Sequence, residues 1–376
     1  MTNSNGINFD DIYDKAYQEV NKFRPNILVV GKTGVGKSTL INAFFSGNIA
    51  ETGVGSPVSK NLIKYEKEGV PVSIWDTRGL ELKEEAQQQT KSEIIGEIRQ
   101  LKNNGDITKQ INVCWYCISY LGKRVEETEI EWIRQLAQEL PVIIVLTQTQ
   151  SKKDVEFYNV VKGMDIPFKQ VVRVLAQPFE LDDDIVIKPY GLKELSDITF
   201  QLLPEQLRNA YIASQKVDLE KKISRAWVAA GAAIASSALS GSLPPGADLA
   251  ALGAVQASML AAITVIFGLD FNKNFFISVV AGIAGRAGIT AGITYFFGSL
   301  AKATGIGYVA AAAIEGTINV AISTALAVAY INVCTKIVQG KIENKTADDI
   351  AELIKEEFKK QREKQSKKIN LEPDGI

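Results

Sequence analysis

The chain has 376 residues, 42 Lys and Arg against 43 Asp and Glu, no histidine and three cysteines. That length favours two domains, and a net charge of −1 argues against a nucleic-acid partner, because counterion release needs a basic face. The missing histidine removes the commonest metal ligand and general base, and cysteines without metal spacing fit a reducing, cytoplasmic setting.

Residues 1–24 are polar and acidic and show no signal peptide. Phe9, Ile12, Tyr13, Ala16, Tyr17 and Val20 fall at helical spacing and predict an amphipathic helix. Pro25–Val30 then reads as a short, buried parallel strand.

The next residues, Gly31-Lys32-Thr33-Gly34-Val35-Gly36-Lys37-Ser38-Thr39, form a complete phosphate-binding loop. Gly31 and Gly36 allow the tight turns that aim successive N–H groups into one nest. Lys37 supplies a point charge to the β- and γ-phosphates and is the catalytic candidate, while Ser38 offers a hydroxyl to Mg²⁺. Leu40, Ile41, Phe44 and Phe45 predict a helix leaving the loop, its positive dipole end under the phosphates. These features predict a nucleotide-binding α/β domain over residues 25–203.

Thr52–Ser59 is a Gly-, Ser- and Pro-containing loop before a strand at Asn61–Lys67. Ser59 is placed either to close on the metal and γ-phosphate as switch I or to serve only as a turn residue. Val70–Gly79 is a strand ending in Asp76-Thr77-Arg78-Gly79, an Asp-x-x-Gly of the kind that holds the Mg²⁺ shell and meets the γ-phosphate as switch II. Further strands are expected at Asn112–Tyr120, Pro141–Leu146 and Lys169–Ala176, with a helix from Glu126 to Leu140. That alternation means a mostly parallel sheet covered on both faces. Cys114 and Cys117 should point to opposite faces of their strand and so not form a redox pair.

These motifs resemble the Era-like and septin-like branch of the translation-factor class of GTPases over about residues 25–200, with a switch I similar to that of immunity-related GTPases. The resemblance implies GTP (and GDP) with Mg²⁺ held by Ser38, Ser59 and Asp76. Ser59 stands where those families carry Thr. Their Asn-Lys-x-Asp is replaced by Thr147-Gln148-Thr149-Gln150, and of their Ser-Ala-Lys only Ala176 remains in Val174-Leu175-Ala176. Thr147, Gln148, Gln150 and Ala176 are therefore the base-binding candidates. Gln150 is a weaker guanine reader than a carboxylate, which leaves ATP open. Asp154 is the one alternative acceptor nearby. Leu80 occupies the place of a water-orienting glutamine, which implies slow hydrolysis helped by a second copy or a partner, with Arg78 and Arg124 as charge donors or merely solvated.

Composition changes near residue 225: Ala226–Gly340 holds seven charged residues in 115 and 14 of the 29 glycines. Helical blocks at 224–240, 249–269, 274–301 and 306–338 predict an all-α, Gly/Ala-rich hydrophobic domain with a connecting helix over 204–340. Leu243–Asp248 forms a break, and Ala284, Gly288 and Gly292 a small-residue face. Arg286 and Glu315 favour a packed bundle with the two paired, whereas the charge-free run Leu249–Leu269 is long enough to cross a bilayer. The order of these features, including Gln256 and Met259, is similar to the helical domain that follows the GTPase domain in YcjF-like membrane proteins. A last amphipathic helix, with Ile350, Leu353, Ile354 and Phe358 on one face, and a charged tail occupy 341–376. The expected function is a nucleotide-controlled switch for a membrane surface or for a homodimer or homo-oligomer, on the cytoplasmic side. A ribosome-assembly GTPase and a non-hydrolysing scaffold are the alternatives.

Overall fold

The computed structural model describes residues 8–46, 49–52, 54–57, 61–77, 84–182, 185–240, 247–269, 273–284 and 312–369. The chain opens on helix α1 (Phe9–Asn21) and divides into two compact units, one of Asn21–Asp218 and one that joins Met1–Val20 to Leu219–Ile376.

The first unit runs β1 (Asn26–Val30), α2 (Lys37–Phe44), α3 (Ile49–Thr52), β2 (Val54–Pro57), β3 (Leu62–Lys67), β4 (Val70–Thr77), α4 (Glu84–Asn103) and β5 (Val113–Ser119). It continues through α5 (Glu127–Glu139), β6 (Val142–Thr147), α6 (Glu156–Lys162), β7 (Gln170–Arg173), the hairpin β8 (Phe179–Asp182) and β9 (Ile185–Ile187), α7 (Leu192–Leu202) and α8 (Arg208–Ser214). The sheet order is β2-β3-β4-β1-β5-β6-β7. Strands β4, β1, β5, β6 and β7 are mutually parallel, and β2 and β3 add an antiparallel edge. Chain direction across the sheet reverses at β1, so the crevice that such folds use for ligands opens at its carboxyl end.

Side chains alternate between two cores, as a period of two requires. Leu28, Cys114, Ile144 and Leu146 pack with Ile98, Trp132 and Phe157 on one face. Ile27, Val29, Trp115 and Cys117 pack with Leu40, Phe44 and Tyr211 on the other. Cys114 and Cys117 thus occupy opposite cores, as expected, and burial pushes the Cys117 thiol up to about 12. Strand β7 ends earlier than expected. After Val174 N–H donates to the Leu146 carbonyl at 2.8 Å, Leu175 leaves the sheet to exchange backbone bonds with Tyr190.

The first unit runs on to Asp218. Tyr211 of α8 is buried against Phe44, Ser46 N–H donates to the Ser214 carbonyl at 3.0 Å, and Lys216 N–H donates to the Phe44 carbonyl at 3.0 Å. Gln215, fully buried, accepts from the N–H groups of Val217 and Asp218 at 2.7 Å each, and this fastens the last turn of the unit.

The second unit contains α1, α9 (Leu219–Ser240), α10 (Ala247–Phe267), α11 (Lys273–Ala284), α12 (Ala312–Val338) and α13 (Ala347–Ile369). Neither α1 nor the C-terminal helix is a separate segment. Phe9 and Tyr13 share a core with Phe276, Leu326, Tyr330, Ile354 and Phe358. Tyr13 and Phe276 have ring centroids 5.2 Å apart, and Lys273 pairs with Asp14 at 2.6 Å and Asp10 at 3.4 Å. Gly282 lies so close to Ala351 that a Cβ there would sit 2.6 Å from the Ala351 Cβ, a close helix approach that only glycine permits. Two polar contacts cross between helices inside: Thr264 with Tyr330 at 2.6 Å, and Gln256 Nε2 with Ser323 Oγ at 3.2 Å. The fully buried Lys222 donates to the carbonyls of Ile266 and Phe267 at 3.1 and 2.9 Å, closing the C-terminus of α10. Val320–Val338 is long and apolar enough to cross a membrane, with 56% of its window buried inside the unit. Arg286, Gly288, Gly292 and the side chain of Glu315 lie outside the described residues, and the expected Arg286–Glu315 pair with them.

Candidate nucleotide site

The loop between β1 and α2 has the backbone that its glycines predict. Gly31, Gly34 and Gly36 have φ of 150°, 80° and 93°, a region that disfavours any side chain. At Gly31 a Cβ would also strike the Cys117 carbonyl. Gly36 caps α2, and its carbonyl accepts the first helical bond from Leu40 N–H at 2.9 Å. Val35 is buried beneath the loop, while Thr33, Gly34 and Ser38 are exposed and Thr39 is half-buried. The Lys37 ammonium folds back over the loop, donating to the carbonyls of Gly31 at 2.6 Å and Lys32 at 3.0 Å. Lys32 points elsewhere and pairs with Glu126 at 2.8 Å and Glu129 at 3.3 Å. Burial works against its ammonium, but the two carboxylates outweigh that and raise its pKa. Glu126 and Glu129 also form the capping box of α5, so the loop is tied to that helix's first turn.

Asp76 stands at the end of β4 in register with Val29 of β1, one strand spacing from the start of the loop. Its Oδ1 accepts from Thr77 N–H at 2.9 Å. Among the described residues no group of three or more His, Cys, Asp or Glu could hold a metal ion. A Mg²⁺ bound chiefly by phosphate oxygens and waters needs only one or two protein oxygens, and the Ser38 hydroxyl and the Asp76 carboxylate fit that donor set. Ser59 and Gly79, with Arg78 and Leu80, lie outside the described residues. Arg124 is highly exposed and paired with Glu126 at 2.9 Å.

On the other side of the loop lies a cavity of about 270 Å³, lined by Gly36 and Thr39 and by all four base-binding candidates, Thr147, Gln148, Gln150 and Ala176. Thr147 and Gln148 have a second task. Thr147 Oγ1 donates to the carbonyls of Val35 at 2.5 Å and Ile118 at 3.2 Å. Gln148, at φ 56°, donates from Nε2 to the Gly34 carbonyl at 3.2 Å and accepts at Oε1 from Ser119 Oγ at 2.6 Å. Both residues therefore hold the phosphate loop. Asp154 does not line the cavity. Its Oδ1 accepts from the Tyr120 hydroxyl at 2.9 Å, its Oδ2 pairs with Lys123 at 3.0 Å, and these partners hold the carboxyl below its usual range.

Sequence reasoning missed Leu121, Pro178 and Phe179, which give the cavity its apolar walls, and Ser119, which fixes Gln148. Leu121, 57% exposed directly after a buried strand, carries the one sequence signal, an apolar residue where a polar loop is expected.

This sheet order, with this loop at the carboxyl end of β1, defines a P-loop GTPase domain. Residues 26–148 match the family model described as 50S ribosome-binding GTPase. Solved structures similar to the chain include Cdc11 from Saccharomyces cerevisiae, at 19% identity over 46% of this chain and 73% of that one, with a TM-score of 0.27. Another is a septin GTPase domain from Chlamydomonas reinhardtii, at 16% identity over 39% of this chain and 63% of that one, with a TM-score of 0.25. Comparison with curated proteins gives no match.

Proposed function

We propose that the protein binds GTP with Mg²⁺, hydrolyses it slowly, and uses the nucleotide state to control association of its helical unit with a membrane surface or a second copy. The observation that carries this reading is the backbone tie between the helix leaving the phosphate loop and the residues that lead into α9: Ser46 to Ser214 and Phe44 to Lys216, each at 3.0 Å. A shift of α2 on binding a triphosphate is felt directly at the end of the unit. In the chemistry itself, the loop N–H groups and Lys37 bind and orient the phosphates, and Ser38 and Asp76 would hold the metal, which neutralises charge on the phosphate oxygens when bound. Leu80 cannot orient a water, which supports slow turnover.

Liposome flotation and light scattering of the full chain with GTP, GDP and no nucleotide test the proposal. GTP-dependent flotation or self-association supports the switch. Identical behaviour in all three states contradicts it.

A second reading, a ribosome-associated GTPase, is favoured by the description of the family that residues 26–148 match. The net charge of −1 weighs against it. Co-sedimentation with ribosomes in the GTP state separates the two readings.

A further inference from the structure

The residues that line the base end of the cavity include no carboxylate. Gln148 has both ends of its amide engaged, by Ser119 and by the Gly34 carbonyl. Gln150, half-buried, and Gln177, exposed at the rim, are the remaining side-chain amides of the lining. Asp154 is held outside by Tyr120 and Lys123, and its own carbonyl accepts from Arg173 Nη1 at 2.7 Å, so it does not swing in without breaking three contacts.

Guanine presents two donors side by side, N1–H and the 2-amino group, and a carboxylate satisfies both. A side-chain amide carries one acceptor and one NH₂ group, so it accepts from one guanine donor and faces the other with a donor of its own. Adenine presents an acceptor next to a donor, a pair that an amide matches at both ends, as Gln does with adenine in nucleic-acid recognition. We propose that Gln150 makes this a purine-tolerant site, one that takes adenosine triphosphate alongside guanosine triphosphate. The inference rests on the assignment of this cavity to the base in the proposed function.

Competition binding on the full chain with Mg²⁺ tests it, using GTP, ATP, inosine triphosphate (which lacks the 2-amino group) and inorganic tripolyphosphate, for wild type and Gln150→Asp. The expected result is a wild-type preference for GTP over ATP of no more than about tenfold, with inosine triphosphate bound as well as GTP. Gln150→Asp should restore guanine reading and widen the GTP-over-ATP ratio by at least about tenfold. A wild-type preference for GTP above about tenfold overturns the inference while leaving the nucleotide site intact, and so does a folded Gln150→Asp protein with an unchanged ratio. Should Gln150→Asp fail to fold, the wild-type ratio alone decides. If no purine triphosphate and no tripolyphosphate binds, the nucleotide assignment itself fails, and the inference falls with it.

Discussion

Ser46 N–H donates to the Ser214 carbonyl at 3.0 Å, across 168 residues of chain, and so joins the exit of the phosphate-loop helix to the last residues before the helical unit. The tie is backbone, so its strength does not depend on side chains at either position. What locks the far end is Gln215, whose buried amide holds the N–H groups of Val217 and Asp218 and donates to the Asp218 carbonyl at 3.1 Å.

Gln215→Ala is therefore expected to remove the acceptor of the Val217 and Asp218 N–H groups and to cost about 1–3 kcal/mol of stability. If the tie transmits the nucleotide state, amide exchange at residues 212–218 slows on adding GTP with Mg²⁺ in wild type, and this response shrinks in Gln215→Ala. Exchange there that ignores nucleotide would show that the loop and the junction are uncoupled.

Gly31→Ala should abolish nucleotide binding, because the new Cβ meets the Cys117 carbonyl and the residue needs a positive φ. The expected destabilisation is about 1–3 kcal/mol from backbone strain. Equilibrium binding and urea unfolding of the variant check both effects.

Lys222 gives the helical unit a pH dependence. Burial lowers its pKa from 10.5 to about 7. Between those values the unfolded chain carries a proton that the folded chain lacks, so stability rises as pH increases across that window and falls as pH drops towards 7. Each pKa unit of such depression corresponds to about 1.4 kcal/mol. Urea unfolding of wild type and Lys222→Met at about pH 8 and about pH 9.5, one in each half of that window, should show a steeper rise in wild type. Parallel pH profiles would mean that Lys222 does not titrate in this window.

Phe276 is fully buried against Tyr13, so Phe276→Ala should destabilise the helical unit by about 3–5 kcal/mol. Because Tyr13 lies on α1, the same variant should also make α1 more sensitive to proteolysis. Cleavage within residues 9–21 at an unchanged rate would show that α1 is held by other contacts.

The phosphate loop and the parallel strands were legible in the sequence because both are local. Glycines at 31 and 36 announce backbone geometry, and runs such as Val142–Leu146 announce burial on both faces. Base recognition was legible only as a departure. Thr147 and Gln148 read as base contacts and line the cavity, and their hydrogen bonds to Val35 and Gly34 also brace the loop, a relation across more than a hundred residues that spacing does not reveal. The same limit hid the partnership of α1 with α11, since Lys273 pairs with Asp14 across 259 residues. The place of the helix at 208–214 was hidden for a related reason: the bridge of Phe45 with Gln215 and the packing of Tyr211 on Phe44 fasten it to the first unit.

The most direct test of the account is titration calorimetry of the full chain with GTP and Mg²⁺, for wild type and Lys37→Ala. Saturable binding in wild type that weakens at least about a hundredfold in a folded Lys37→Ala protein is the predicted result. No heat in wild type, or equal affinity in the two proteins, would contradict it.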